Sequence, residues 1–275
     1  MRLFLLLHLF IPLSVQLQSS LPTRSDSMDR STTRSTCASH ETCRRSDADP
    51  TAMHNRVFRV PDWASGPSRP SDAFLAYDVW NRIDAVLYVN LKHRTDRKKS
   101  ILSVFERWGV PKDKIRRIDA IRTPEAGEVG CALSMARSLD TAWKEGWERV
   151  LIFQDDFLSA HSASITTRLL SAFLRRGPDD WDGALLAWGT GGAEYTSWDF
   201  LLRTTGAKTM SGFFAHRRIF TTLRDRCLLS ADRLKAHRGV SGNYARHAAD
   251  VMWNKLMETG RWYLFLPKLG YVRDD

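Results

Sequence analysis

Val150-Leu151-Ile152-Phe153-Gln154-Asp155-Asp156 is the stretch on which the fold turns. Four consecutive apolar residues, mostly branched or aromatic, are the pattern of a buried strand. They run directly into two adjacent carboxylates. Charged side chains resist burial unless paired or bound to a cation. In open α/β sheets, ligands collect at the carboxyl ends of strands. The pair reads in two ways. One is a solvated turn that stops the strand. The other is a site where a hard divalent ion is held by carboxylates together with a substrate's phosphates.

Outward from this point the chain alternates short apolar runs with amphipathic ones. Residues 85–91 (AVLYVNL) form a β-branched apolar run, and residues 115–121 and 149–153 give two further strands. Between them lie two helical patterns. Over 94–108 the apolar face is Ile101, Leu102, Val104, Phe105 and Trp108, with Gly109 as the stop and Pro111 just beyond. Over 129–147 the stripe is Leu133, Ala136, Leu139 and Trp143. Further on, 165–175 and 217–229 read as helices and 245–259 as one continuous helix. Residues 184–188 and 212–216 read as strands, and 263–266 as a late strand stopped by Pro267. Gly189-Thr190-Gly191-Gly192 reads as a flexible loop. Strands alternating with helices predict an α/β fold with a mostly parallel sheet covered by helices on both faces.

The composition is globular: 275 residues, 43% hydrophobic and 26% charged. The net charge of +10 suits phosphate-bearing ligands, anionic membranes or nucleic acid. The densest basic run, Arg94-Thr95-Asp96-Arg97-Lys98-Lys99, has no interleaved aromatic, and the remaining charge is dispersed, so nucleic acid is not the expected partner. The four cysteines have no metal-ligand spacing, which argues against zinc. Cys131 and Cys227 read as buried thiols, while Cys37 and Cys43 could pair in an oxidising compartment. The ten tryptophans serve either as core filling or as walls of a sugar site.

Arg2 followed by the apolar stretch 3–15 reads as a signal peptide or short signal anchor over 1–17. It directs the body into the lumen of the endoplasmic reticulum or Golgi. Residues 18–71, rich in Ser, Thr, Arg, Asp and Pro, read as a flexible stem, with 57–63 as a patch able to dock on the body. Residues 72–275 then form a single domain.

Four strings together resemble one family. Val89-Asn90-Leu91-Lys92-His93-Arg94-Thr95-Asp96-Arg97 resembles the opening block of glycosyltransferase family 25, which includes the lipooligosaccharide galactosyltransferases and collagen β-galactosyltransferases. Arg117-Ile118-Asp119-Ala120, Gly130-Cys131-Ala132-Leu133-Ser134 and the segment 151–156 resemble its next three blocks, in the same order and spacing. Beyond residue 158 the likeness thins to Gly212-Phe213-Phe214-Ala215 and to Ala249-Asp250 followed by Trp253. The resemblance implies a GT-A-type fold. It also implies transfer of a hexose, galactose as the best guess, from a UDP-sugar to a glycan or protein acceptor, with a Mn²⁺ or Mg²⁺ ion at the acidic motif.

By that resemblance Asp156 is the leading metal ligand, and Asp155 is either a second ligand or a ribose contact. Ser134 is placed near the donor. Asn90, Arg94 and Arg97 end a strand and open a helix, a natural place to meet a nucleotide, although a solvated helix start has the same residues. Inverting transfer needs a carboxylate to take the acceptor's proton, and Asp250 is the candidate, against the alternative of an ordinary first-turn helix charge. His216 and His247 are weaker candidates. Two positions depart from the family: Gln154 replaces a usual Glu, and Met135 replaces a usual His expected to face the donor. Both fit either altered donor choice or a non-catalytic relative that binds a glycan or partner.

Overall fold

The computed structural model describes residues 59–124, 126–238 and 245–274. The expected signal segment and most of the expected stem lie outside them. In chain order the larger elements are α1 (Ser71–Asn81), β1 (Ala85–Asn90), α2 (Thr95–Arg107), β2 (Ile115–Asp119), α3 (Gly127–Lys144), β3 (Arg149–Gln154), β4 (Phe157–Ser159) and α4 (Ala163–Arg176). They continue with β5 (Gly183–Leu185), β6 (Gly189–Tyr195), β7 (Leu201–Lys208), β8 (Gly212–His216), α5 (Phe220–Ala236), α6 (Ala249–Met252), α7 (Asn254–Thr259), β9 (Trp262–Phe265) and β10 (Gly270–Val272).

Eight strands form one sheet in the order β2-β1-β3-β8-β5-β9-β7-β6, and β10 pairs with β4 in a small second sheet. Strands β2, β1, β3, β5, β9 and β6 run one way, while β8 and β7 run against them. The expected α/β class with a helix-flanked sheet is therefore present. Its central strands show why the sequence folds this way. Leu87, Val150 and Ile152 point to one core, and Val86, Tyr88, Leu151 and Phe153 to the other, so strands buried on both faces must be apolar throughout. Helices α3 and α5 cover the first face, and α1, α2 and α4 the second.

Local signals hold where side-chain periodicity is strong. Helix α2 ends at Gly109, whose φ of +68° is the left-handed backbone that favours glycine. Tryptophan is mostly core filling: Trp253 and Trp262 are fully buried, and Trp80, Trp108 and Trp181 nearly so. Cys227 is a buried free thiol, as expected.

Two expectations fail. The segment Gly189–Tyr195 is strand β6, paired along its length with β7, with irregular register at Gly192. The interval 245–259 is not one helix. A 3₁₀ turn (Ala245–His247) precedes α6, and α6 and α7 part at Trp253, whose ring is buried against Phe213 and Trp262. Just past the break, Asn254 Oδ1 accepts the Ala207 N–H of β7 at 3.1 Å. Before residue 71, Trp63, from the patch able to dock, packs on the body. Ala64 is fully buried, and Trp63 meets Phe200 edge-on and donates to Asp199.

Candidate functional site

Strand β3 delivers Gln154 to the sheet's carboxyl edge, and Asp155 and Asp156 occupy the turn into β4. The turn is held from both ends. Phe153 and Phe157 pack edge-to-face at 4.9 Å with Trp108 against both, and each such pair adds about 0.5–1.5 kcal/mol beyond area burial. The Asp156 carbonyl also accepts the Arg273 N–H at 2.9 Å, next to the β4–β10 pairing.

Asp155 is 9% exposed. Its Oδ2 accepts from Asn90 Nδ2 at 2.6 Å, and Arg97 Nη1 lies 3.4 Å from its Oδ1. The same Arg97 nitrogen stands 3.9 Å from Asp156 Oδ2, so one guanidinium faces both carboxylates. Asn90, 1% exposed at the end of β1, is itself oriented by Arg117. The Arg117 guanidinium donates to the Asn90 side-chain and backbone oxygens at 3.2 Å. Sequence reasoning does not single out Arg117 for this role. Its signal, a basic residue mid-strand beside β1, becomes readable only once the register is known.

Behind Asn90, Arg117 stays outside the cavity of about 430 Å³ that opens at the carboxyl ends of β1 and β3. Asn90, Arg94, Arg97, Ser134, Gln154, Asp155 and Asp156 all border it, joined by His93 and Arg122, which sequence reasoning misses as site residues. Arg94 grips Asp96 bidentately at 3.0 and 2.8 Å, and this holds the Asp96 carboxyl well below the usual range. Ser134 is buried and acts as a lace. Its hydroxyl accepts the Ile121 N–H at 2.7 Å and donates to the Gly130 carbonyl at 2.5 Å, tying the loop after β2 to α3. Gly130 leaves room for that loop: a Cβ there would collide with the Ile121 carbonyl oxygen and with Thr123.

The two positions that break the sequence resemblance, Gln154 and Met135, resolve differently. Gln154 does border the cavity, and its Nε2 contacts the Cys131 sulfur at 2.9 Å. Cys131 is half-buried as a residue, yet its thiol is deep enough that burial pushes it up to about 12, and it is neutral at physiological pH. Met135 does not face the cavity. It is 1% exposed in the core beside α5, where an unbranched thioether fits an irregular gap.

Asp250 lies in the first turn of α6 and borders an adjoining cavity of about 240 Å³, which shares Cys131 and Gln154 with the first. Its Oδ2 accepts the Thr209 N–H and its Oδ1 the Val251 N–H, both at 2.9 Å. Thr209 has φ +88°, unfavourable for a β-branched residue. The carboxylate thus braces a strained residue between β7 and β8. His216 is removed from candidacy by position: it pairs with Arg149, at the opposite end of β3 from the aspartates. His247 borders neither cavity and stacks on His237 at 4.5 Å.

Among the described residues no cluster of three or more His, Cys, Asp or Glu could hold a metal by itself. Asp155 and Asp156 nevertheless fit a divalent ion of the Mg²⁺ or Mn²⁺ type. Such ions are commonly held by one or two carboxylates, with substrate phosphates and water completing the shell. Among the described residues no helix is long and apolar enough to cross a membrane.

No protein-family model and no curated protein matches this chain. Among solved structures it is similar to mannose-1-phosphate geranyltransferase from Thermus thermophilus (TM-score 0.41, 14% identity, covering 70% of this chain and 74% of that one). It is also similar to a glycosyltransferase involved in glycosylation of the major capsid of PBCV-1 (TM-score 0.41, 10% identity, 66% and 81% covered). A third is A197 from STIV (TM-score 0.37, 10% identity, 70% and 95% covered). Likenesses at this level carry no inference about activity.

Proposed function

We propose that the chain is a family-25-type glycosyltransferase of GT-A architecture that moves a hexose from a UDP-sugar to a hydroxyl of a glycan or protein. Galactose is the best guess for the sugar. One observation carries the reading. Residues from three separate blocks of the sequence resemblance (Asn90, Arg94 and Arg97; Ser134; Gln154 to Asp156) meet at one cavity at the carboxyl ends of parallel strands, where ligands collect in α/β sheets. The amino-terminal apolar stretch would deliver the enzyme to the secretory lumen.

The chemistry this requires is charge neutralisation at a departing diphosphate. Asp155 and Asp156 would hold Mn²⁺ or Mg²⁺, which supplies positive charge there when bound. Asn90 and Arg117 fix Asp155. Arg97, His93 and Arg122 border the same space, and Arg97 faces both carboxylates. The acceptor hydroxyl would enter through the adjoining cavity. Its oxygen forms the new bond to the anomeric carbon as the bond to the diphosphate breaks, with inversion, and its proton passes to Asp250. Each Asp250 oxygen accepts one backbone N–H and keeps a second lone pair for that proton.

The test is thermal stability of the protein with UDP and Mn²⁺, separately and together. A ligand at ~100 times its dissociation constant adds about 2.7 kcal/mol. The expected result is a shift that needs both and disappears in Asp156→Asn. Absence of any nucleotide-dependent shift sinks the reading.

Gln154 and its sulfur contact favour a second reading, a non-catalytic relative. UDP binding without donor hydrolysis or transfer would select it.

A further inference from the structure

A second cavity of about 380 Å³ shares no lining residue with the one above. It lies between the first turns of α1 and the second half of α4, closed by the segment before α1. Its floor is Arg168, whose side chain is 4% exposed. Arg168 Nε and Nη2 grip Asp72 at 2.9 and 2.8 Å. Its Nη1 donates to the Ser65 and Ala64 carbonyls at 2.8 and 3.2 Å, and Nη2 donates to the Pro67 carbonyl at 2.7 Å. Burial alone would raise the Asp72 carboxyl, but the Arg168 guanidinium and the Arg69 N–H outweigh it, and Asp72 stays ionised. Asp72 and Arg168 therefore cancel, and the floor is rigid and neutral.

The rim is different. Arg69, Arg175 and Arg176 border the cavity, all on exposed positions. Arg175 stands 4.0 Å from Asp78, a loose and exposed pairing. Arg176 lies over the Trp63 ring at 4.9 Å, and Trp63 is fixed by Asp199 and Phe200. Three guanidiniums thus surround a concave space whose one lining carboxylate is already neutralised. Guanidiniums are the groups best shaped for phosphate and sulfate oxygens. The space is too large for a bare ion and falls at the low end of ligand pockets, roughly 300–1,000 Å³. The Trp63 indole, with Arg176 over its ring, adds an apolar edge to the lining.

We propose that this cavity binds a saccharide carrying a phosphate or sulfate monoester, with the ester among Arg69, Arg175 and Arg176 and the sugar body toward Trp63. The site is independent of the donor cavity and of the reading given to it.

The test is calorimetric titration of the full chain with glucose 6-phosphate, glucose 6-sulfate, unmodified glucose and inorganic phosphate. At least one ester should bind saturably and more tightly than both glucose and phosphate, and the two esters against each other identify the anion. In Arg175→Gln/Arg176→Gln, and separately in Arg69→Gln, that affinity should fall by about tenfold or more, the scale of one charged hydrogen bond. The UDP response should stay as in the wild type. These side chains are exposed, so folding should survive. Equal binding of glucose and its esters, equal binding of inorganic phosphate, or unchanged affinity in the double variant would each overturn the proposal.

Discussion

Asn90 and Asp155 are 65 positions apart, yet their side chains meet at 2.6 Å in the wall of the 430 Å³ cavity. The sequence marks both as ligand contacts. The structure gives Asn90 a prior duty, as the anchor that turns Asp155. Replacing Asn90 with Ala removes the amide and leaves the Asp155 oxygen and the Arg117 Nε short of a partner. The expected loss is about 1–3 kcal/mol, read by urea denaturation. A change below ~0.5 kcal/mol, the range of ordinary surface substitutions, would mean that water replaces the contact at no cost. Gln154, where the sequence breaks from the resemblance, can be tested directly. Gln154→Glu would place a third carboxylate beside Asp155 and Asp156, and the Mn²⁺ midpoint in a UDP-saturated titration should fall about tenfold, or ~1.4 kcal/mol. An unchanged midpoint would place the ion elsewhere. Gln154 and Met135 look alike as substitutions in the sequence, yet one borders the cavity and the other is core. Single positions on a helix do not disclose which face they take until its neighbours are placed.

Elements carry the clearest lesson about legibility. The run β1-α2-β2-α3-β3 is readable because each piece has its own strong period and its own stop, such as Gly109. The hairpin β6-β7 is not. Its residues, Gly189–Tyr195 and Leu201–Lys208, carry three glycines in the first strand and little alternation in the second. They are strands because β9 offers β7 a hydrogen-bonding edge, and β7 in turn offers one to β6. That cause is non-local and leaves no period in the chain. The interruption at Trp253 has the same origin in packing. The Asp250–Thr209 link joins α6 to the strand connection and yields a prediction at this scale. Asp250→Ala should cost about 1–3 kcal/mol through the orphaned Thr209 N–H, besides any loss of turnover. In a Thr209→Gly background the strained backbone is relieved, and the stability cost of Asp250→Ala should shrink. Equal costs in both backgrounds, by chemical denaturation, would show that Asp250 does not brace that residue.

Among the described residues, three histidines contribute to the acid side of stability. Burial holds His161, His216 and His247 below the ordinary value of 6.5. Below that value the unfolded chain takes up protons that the folded one resists, so their contribution is complete above pH 6.5 and declines as pH falls. Asp72 acts lower. Its folded value lies under the ordinary 3.8, so its contribution is complete above that and is lost as pH falls through the folded value. The melting temperature should therefore drop in two stages on acidification, the first beginning near pH 6.5. A profile flat to about pH 5 would contradict the first stage.

The order of the eight strands has one more consequence. Its terminal strands are β2, reading Ile-Arg-Arg-Ile-Asp, and β6, rich in glycine and irregular in register. A neighbouring molecule seeking to add a strand would meet a charged border on one side and a crooked, weakly β-forming ribbon on the other. A sheet this apolar in its middle is thus poorly suited to templating its own polymerisation, a protection written in its margins rather than its core.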